Sequence, residues 1–308
     1  MKIMISIIIP VFNSQKTIYS LVQNIIGELN KNYNLEIILI NDFSSDNSES
    51  ECIRAYNDFK GKIKFLSLGK NFGEHSAVMA GLNYITGDWA IIMDDDFQNP
   101  ISELIKLIQF SLDNPYDVIY TKYESKKHSI FRNFGSYFNN KIANLMLKKP
   151  NDLYLSSFKS ISQKVVKEII KYDLPFPYID GLVLRATRNI GILKAKHNKR
   201  SFGKSGYNLK KLIGLWLNMF TSFSTLPLRI STTLGILMST TGLIFAILTL
   251  IEKLINPAMP PGYSSLIIFS LIFSGLQLIF LGVIGEYVGR IFISQSKAPQ
   301  YFITRSYD

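Results

Sequence analysis

Three consecutive carboxylates, Asp94, Asp95 and Asp96, directly follow the apolar residues 91–93. In an extended segment, side chains two residues apart project to the same side, so Asp94 and Asp96 are predicted to face one way and Asp95 the other. Gln98 continues on the side of Asp94 and adds a neutral oxygen. Oxygen ligands of this kind suit Mg2+ or Mn2+, which also bind substrate diphosphates. The alternative is a solvated turn that caps the next helix, the commoner role of an isolated Asp-x-Asp pattern.

A second acid stands in a comparable place. Asp42 lies in the polar stretch NDFSSDNS, directly after the predicted strand at residues 35–40, where it could contact a ligand or only cap the following helix. Ligands of parallel α/β sheets bind beyond the carboxyl ends of the strands, which singles out the loops at residues 11–14, 41–46 and 94–99. Both acidic clusters end predicted neighbouring strands, so they should meet in space.

Hydrophobic periodicity defines the elements that carry these loops. Continuous apolar runs separated by segments of helical spacing predict an α/β domain whose mainly parallel sheet is covered by helices on both faces. The predicted strands are residues 3–10, 35–40, 63–68, 89–93 and 117–123. The predicted helices are residues 18–29, 75–85 and 102–112, with another after the polar turn at 42–48.

Two long segments near the carboxyl terminus, residues 230–251 and 264–285, contain no charged side chain. A helix rises about 1.5 Å per residue, so each would span about 33 Å, enough for the core of a bilayer. We therefore predict two transmembrane helices joined by a short external loop at residues 252–263. Two buried helices of a soluble bundle are the alternative.

Basic residues flank both predicted spans on the sides away from this loop, which places both termini in the cytoplasm. The flanking residues are Lys204, Lys210, Lys211, Arg229, Arg290, Lys297 and Arg305. The predicted organisation is a cytoplasmic domain at 1–205, interfacial amphipathic helices at 206–228, the two-helix region at 229–287 and a cytoplasmic tail at 288–308.

The single cysteine, Cys52, excludes an intramolecular disulfide and agrees with a reducing compartment. The net charge of +11 could indicate nucleic acid. In a membrane-attached chain, however, anionic lipid headgroups and phosphorylated substrates are the expected partners, and no nucleic acid is predicted.

The order of the motifs resembles a known family. IIIPVFN, ILINDFSSDNS and KNFGEHSAVMAGLNYITGDWAIIMDDDFQNP are similar to the nucleotide-binding half of family 2 glycosyltransferases with the GT-A fold. The later motifs SSFKSISQKVV, KRSFGKSGYNLKKL, TSFSTLPLR and GEYVGRIF extend the resemblance to the polyprenyl-phosphate glycosyltransferases, over nearly the whole chain. The resemblance implies a Rossmann-like GT-A sheet, a nucleotide-sugar donor, an undecaprenyl-type lipid phosphate acceptor, a multi-pass protein of the bacterial cytoplasmic membrane and a possible homotetramer.

The resemblance also implies roles for individual residues. Nucleotide binding is expected at Pro10, Phe12, Asp42 and Asp94, and Mg2+ or Mn2+ binding at Asp94, Asp96 and Gln98. The acceptor phosphate is expected at Arg132, Lys141, Arg200, Lys204 and Ser205, and the catalytic set is Asp94, Asp96 and Arg200. For the basic residues the alternative is that they only anchor the chain at the membrane surface.

The chain departs from the family pattern at several places. Ser14 follows Asn13 where the family usually has an acid nearby, and Asp95 stands where relatives carry a small residue, so alanine is predicted to be tolerated at position 95. Ser157 precedes Phe158 where many relatives have an acid. We therefore assign no general base.

A phosphate acceptor does not need one, because it is already ionised near neutral pH. The predicted reaction is an inverting, metal-dependent transfer of one sugar to a polyprenyl phosphate, serving cell-envelope glycan or lipopolysaccharide modification. A processive polysaccharide synthase is less consistent with the sequence, because neither Trp89 nor Trp216 belongs to a QxxRW motif. A catalytically silent membrane scaffold with the same fold is a further alternative.

Overall fold

A computed structural model describes residues 3–123, 153–198, 226–255, 262–295 and 299–308. The chain divides into two compact units. The first comprises Met1–Asn208 together with Lys297–Asp308, and the second is Leu209–Ser296. The predicted interfacial helices at 206–228 lie almost entirely outside the described residues.

The first unit contains one sheet, in which eight strands from the described residues follow the order β7-β5-β6-β4-β1-β2-β3-β8. The strands are β1 (Met4–Val11), β2 (Asn34–Asn41), β3 (Ile63–Leu68), β4 (Trp89–Ile92), β5 (Val118–Tyr123), β6 (Lys159–Ser162), β7 (Ile190–Ala195) and β8 (Ile303–Tyr307). Its helices are α1 (Ile18–Leu29), α2 (Ser48–Asp58), α3 (Glu74–Leu82), α4 (Ile101–Asp113), α5 (Gln163–Ile169) and α6 (Ile179–Ala186).

The first five strands and four helices form where the sequence predicts them. β1, β2, β3 and β4 run parallel, while β6 is antiparallel to both β4 and β5. The prediction that the two acidic clusters end adjacent strands is wrong, because β1 lies between β2 and β4. The order of the strands therefore reverses around β1, which is the kind of switch point where α/β sheets bind ligands.

Helices cover both faces of the sheet. Ile5, Ile7 and Ile9 of β1 belong to one apolar core with buried side chains of α1, α2 and α4. On the opposite face α3 lies against the sheet at Gly81, where an added Cβ would be 2.7 Å from Ile8. A residue without a side chain thus permits the close approach of α3, and α3 begins directly after the loop that follows β3.

The second unit contains two long helices, α7 (Leu226–Ile255) and α8 (Tyr263–Gln295), of 30 and 33 residues. They include the two segments predicted as helices. Among the described residues one stretch, Phe273–Gln295, is long and apolar enough to cross a membrane, with a mean hydropathy of 1.6. The crossing of a membrane by both helices therefore stays a prediction.

Candidate active site

Among the described residues, three other than glycine have a left-handed backbone, and they lie in the three loops that the sequence singles out. They are Asn13 (φ 55°) after β1, Phe43 (φ 58°) after β2 and Phe97 (φ 61°) after β4. Such conformations cost free energy and persist where the surrounding structure holds them, most often at functional sites. The backbone thus marks the same edge of the sheet as the acidic clusters.

Side-chain hydrogen bonds join the loop after β1 to the loop after β2. The Asn13 amide donates to Ser44 Oγ (3.0 Å), and Asn13 Oδ1 accepts from the Ser45 amide (2.8 Å). The Ser14 amide donates to Ser48 Oγ (2.7 Å). The serines of NDFSSDNS therefore fix the position of the neighbouring loop, a role that the composition of a polar turn does not reveal.

Asp42 is buried, with 4% of its surface exposed. Its two carboxylate oxygens accept from the amides of Phe72 (2.8 Å) and Gly73 (2.9 Å), in the loop between β3 and α3. Burial raises the pKa of Asp42, and the two backbone hydrogen bonds offset only part of that effect. Asp42 thus holds a third loop at the site. Its predicted contact with the nucleotide base stays a prediction.

Asp94 and Asp96 lie close together after β4. Asp94 Oδ2 accepts from Ser157 Oγ (2.7 Å), and Asp96 Oδ1 accepts from the Gln98 amide (3.0 Å). Burial raises the pKa of Tyr123, and the charges of Asp94 and Asp96 raise it further, so both carboxylates lie near that ring. Three residues predicted to bind a metal are thus gathered in one short loop.

Asp95 faces a different element. Its Oδ2 accepts from the Phe12 amide (3.3 Å), and nearby the Ser14 hydroxyl donates to the Phe12 carbonyl (3.3 Å). Burial raises the pKa of Asp95 to about 7, although the Ser14 side chain and the Phe12 amide both act to lower it. The carboxylate of Asp95 therefore contacts the loop after β1, whereas Asp94 contacts the segment that leads into β6.

The donors present suit a hard divalent cation. Among the described residues no group of three His, Cys, Asp or Glu side chains could hold a metal ion. The predicted set instead offers two carboxylates and the Gln98 amide, which fits an ion that keeps several waters and shares a substrate diphosphate. The Gln98 side chain also donates to the Asn198 carbonyl (3.3 Å), which restrains its orientation.

Comparison with known proteins identifies the family. Residues 6–170, more than half of the chain, match the family model for glycosyl transferase family 2. The chain belongs to this family. The protein is therefore a glycosyltransferase, as the motifs predict.

Two relatives of this family 2 enzyme match it over almost its full length. One is the undecaprenyl-phosphate 4-deoxy-4-formamido-L-arabinose transferase of Photorhabdus laumondii, which is 30% identical over 98% of this chain and 93% of its own. The other is an uncharacterized glycosyltransferase of Bacillus subtilis, 30% identical over 98% of this chain and 94% of its own.

A solved structure has the same fold. It is glucosyl-3-phosphoglycerate synthase from Mycobacterium tuberculosis, in complex with Mn2+, uridine-diphosphate-glucose and phosphoglyceric acid. Its TM-score is 0.52 at 16% identity, covering 70% of this chain and 78% of that one. The predicted α/β class and GT-A-like sheet are thereby confirmed.

A polar cluster of buried and half-buried side chains was not found by reasoning from the sequence of this family 2 enzyme. Lys159 and Asp180 form an ion pair, and the Tyr120 hydroxyl donates to the same carboxylate (2.8 Å). The His75 ring meets the Tyr178 ring edge-on, with 5.0 Å between centroids. Burial lowers the pKa of His75 to about 4, although the Asp180 charge opposes this shift.

The register of the strands explains how this cluster reaches the acidic loop of the family 2 enzyme. Lys159 begins β6 opposite Ile92, the last residue of β4. Ser157, two residues before Lys159, donates to Asp94. The predicted acceptor residues Arg132, Lys141, Arg200, Lys204 and Ser205 lie outside the described residues, so their roles, including a catalytic role for Arg200, stay predictions.

Proposed function

We propose that this glycosyltransferase moves a single sugar from a nucleotide-sugar donor to undecaprenyl phosphate, with inversion, at the cytoplasmic face of a bacterial membrane. The observation that carries the proposal is the length of the similarity. It extends over 98% of the chain to a transferase named for undecaprenyl phosphate, and so includes the helical segments as well as the family 2 domain.

The arrangement of the loops supports a nucleotide-diphosphate donor. Pro10 lies near the end of β1 and Phe12 directly follows the strand, with its side chain 46% exposed. Asp42 holds the loop on one side of β1, and Asp94 and Asp96 lie on the other. A donor laid across the switch point would place its nucleoside between the first two loops and its diphosphate beside the acids.

The chemistry asks little of a general base. A lipid phosphate is ionised near neutral pH, so its oxygen can attack the anomeric carbon as the bond to the nucleoside diphosphate breaks. A serine at position 157 agrees with this reaction, because its hydroxyl orients Asp94 rather than removing a proton. Mg2+ or Mn2+, when bound by Asp94, Asp96 and Gln98, would stabilise the negative charge that develops on the leaving group.

The two long helices suit a lipid acceptor. Both carry exposed apolar side chains, among them Leu254, Leu278 and Phe292. Such side chains are stable in lipid and costly in water. We propose that α7 and α8 both cross the bilayer, with the catalytic unit and both termini in the cytoplasm, and that the product serves cell-envelope glycan or lipopolysaccharide modification.

The test uses purified full-length protein, undecaprenyl phosphate, Mg2+ or Mn2+ and a panel of nucleotide sugars, with glycolipids detected by mass spectrometry. One member of the panel should yield a singly glycosylated lipid. If no member does so with either ion, the proposal is wrong.

Asp94→Asn tests the metal assignment within the same assay. We expect it to abolish turnover and cation-dependent nucleotide binding. Asp88→Asn is the matched control, because Asp88 is an exposed acid at the opposite end of the same strand, where it accepts from the Met4 amide (3.1 Å). Full activity of Asp94→Asn would refute the metal assignment. A wild-type protein that binds a partner but transfers no sugar would favour the alternative of a catalytically silent membrane scaffold.

A further inference from the structure

We propose that Asp95 is a positioning residue that fixes the loop after β1 against the acidic loop after β4, and thereby sets the affinity for the nucleotide. The proposal rests on the proposed function, because it assigns Asp95 to the nucleotide side of that site. It also revises the prediction from sequence that alanine is tolerated at this position.

The contacts of Asp95 cross from one loop to the other. Oδ2 accepts from the Phe12 amide at 3.3 Å, and the Ser14 side chain lies near enough to the same carboxylate to influence it. Phe12 and Ser14 flank Asn13, whose backbone is left-handed. The carboxylate therefore contacts the loop after β1 next to its left-handed residue.

The same loop is anchored from its other side. Asn13 and Ser14 bond to Ser44, Ser45 and Ser48 of the loop after β2. Those bonds join the loop after β1 to the loop after β2. They do not restrain the side of the loop that faces β4. Asp95 supplies a contact on that side, and its chain neighbours Asp94 and Asp96 carry the predicted metal site. One side chain thus relates the position of the nucleoside to that of the diphosphate.

This role requires a hydrogen-bond acceptor and not a negative charge. The Phe12 amide is a donor, so the amide oxygen of an asparagine can replace the carboxylate oxygen that accepts from it. A residue that ligates the metal or promotes the reaction would not be replaced in this way. Asp95→Asn and Asp95→Ala therefore separate the two kinds of role.

The experiment measures the dissociation constant for UDP or GDP, whichever binds the wild type, by calorimetry with Mg2+ and without lipid acceptor. Loss of the hydrogen bond to a partly buried carboxylate predicts that Asp95→Ala weakens nucleotide binding about tenfold. Asp95→Asn should bind within about twofold of the wild type. Ser14→Ala removes the neighbouring hydroxyl without touching the acidic loop and should give an intermediate loss.

Steady-state kinetics add a second readout on the same variants. Asp95→Ala should raise the KM for the nucleotide sugar by the same factor and leave kcat within about twofold. A fall in kcat comparable to that of Asp94→Asn would overturn the proposal, as would Asp95→Asn proving as impaired as Asp95→Ala. Unchanged nucleotide affinity in both Asp95→Ala and Ser14→Ala would overturn it equally.

The binding measurement needs no sugar and no acceptor, so it also separates this proposal from the proposed function. If the wild type transfers no sugar but the three variants show the expected order of affinities, the role of Asp95 stands and the assigned reaction fails. If the wild type is active and the affinities do not differ, the reaction stands and the role of Asp95 fails. Should Asp95→Ala not fold, Ser14→Ala and Asp95→Asn decide the matter.

Discussion

Replacing Lys159 with methionine should destabilise the catalytic unit strongly. The side chains of Lys159 and Asp180 are only 4% and 9% exposed, and they form an ion pair beneath the candidate active site. Lys159→Met leaves the Asp180 carboxylate buried, with the Tyr120 hydroxyl as a remaining partner at 2.8 Å. The variant thus keeps the volume of the side chain and removes the compensating charge.

The expected cost follows from the burial of both groups. Removing one partner of a buried ion pair costs about 3–5 kcal/mol, because the other charge stays in the low-dielectric interior. For a unit of this size about 1 kcal/mol lowers the melting temperature by about 2–4 °C, so the midpoint should fall by about 10 °C. Lys159→Met/Asp180→Leu removes both charges and should cost only about 1 kcal/mol, for the Tyr120 hydroxyl that loses its acceptor.

Thermal unfolding in detergent, followed by far-UV circular dichroism, measures these differences. Lys164→Met is the matched control, since Lys164 pairs with Asp117 but its side chain is 69% exposed. A surface pair of this kind contributes under about 1 kcal/mol. A midpoint of Lys159→Met equal to that of the control would refute the buried-charge argument, as would a double variant Lys159→Met/Asp180→Leu that loses as much stability as Lys159→Met alone.

Three further predictions concern other parts of the catalytic unit. His75 should titrate by NMR with a pKa of about 4, below its value of 6.5 in an unfolded chain. The free energy of unfolding should therefore fall as the pH drops from 6.5 to 4, and it should fall less in His75→Gln. A measured pKa near 6.5 would contradict the burial argument. Gly81→Ala should cost about 1–3 kcal/mol in thermal unfolding, because its Cβ would lie 2.7 Å from Ile8 and 2.8 Å from Ile40; an unchanged midpoint would show that α3 can move away. Removal of residues 300–308 should lower the melting temperature by about 5–10 °C by exposing the edge of β3; a truncated protein that melts normally would show that β8 contributes little.

The sequence predicts those elements whose apolar patterns are unbroken. The six residues of helical spacing in α1 are the six that the structure buries, and β1 to β5 are mainly apolar. β6 was missed because its sequence KSIS is short and its buried residues are mainly polar. These polar residues find their partners in distant parts of the chain, as Lys159 does in Asp180. A local sequence pattern does not show such contacts.

The candidate site shows the same division. The three predicted loops do follow β1, β2 and β4, because their positions depend only on where strands end. The sequence did not predict which loop each carboxylate contacts. Asp42 accepts from the amide of Phe72, 30 residues along the chain, and Asp95 accepts from the Phe12 amide in the loop after β1. Arg305, interpreted from the sequence as a marker of topology, pairs with Glu49 of α2 at 3.3 Å.

The last strand has a consequence for the order in which the enzyme is made. β8 pairs with β3, the Phe302 carbonyl accepts from the Gly69 amide (2.8 Å), and Tyr307 stacks on Phe65. Gly69 leads into the loop whose amides bind Asp42. The ribosome synthesises β8 only after both long helices. The edge of the sheet beside this loop is therefore completed by residues 303–307, and a nascent chain that stops within α8 lacks the strand that covers β3.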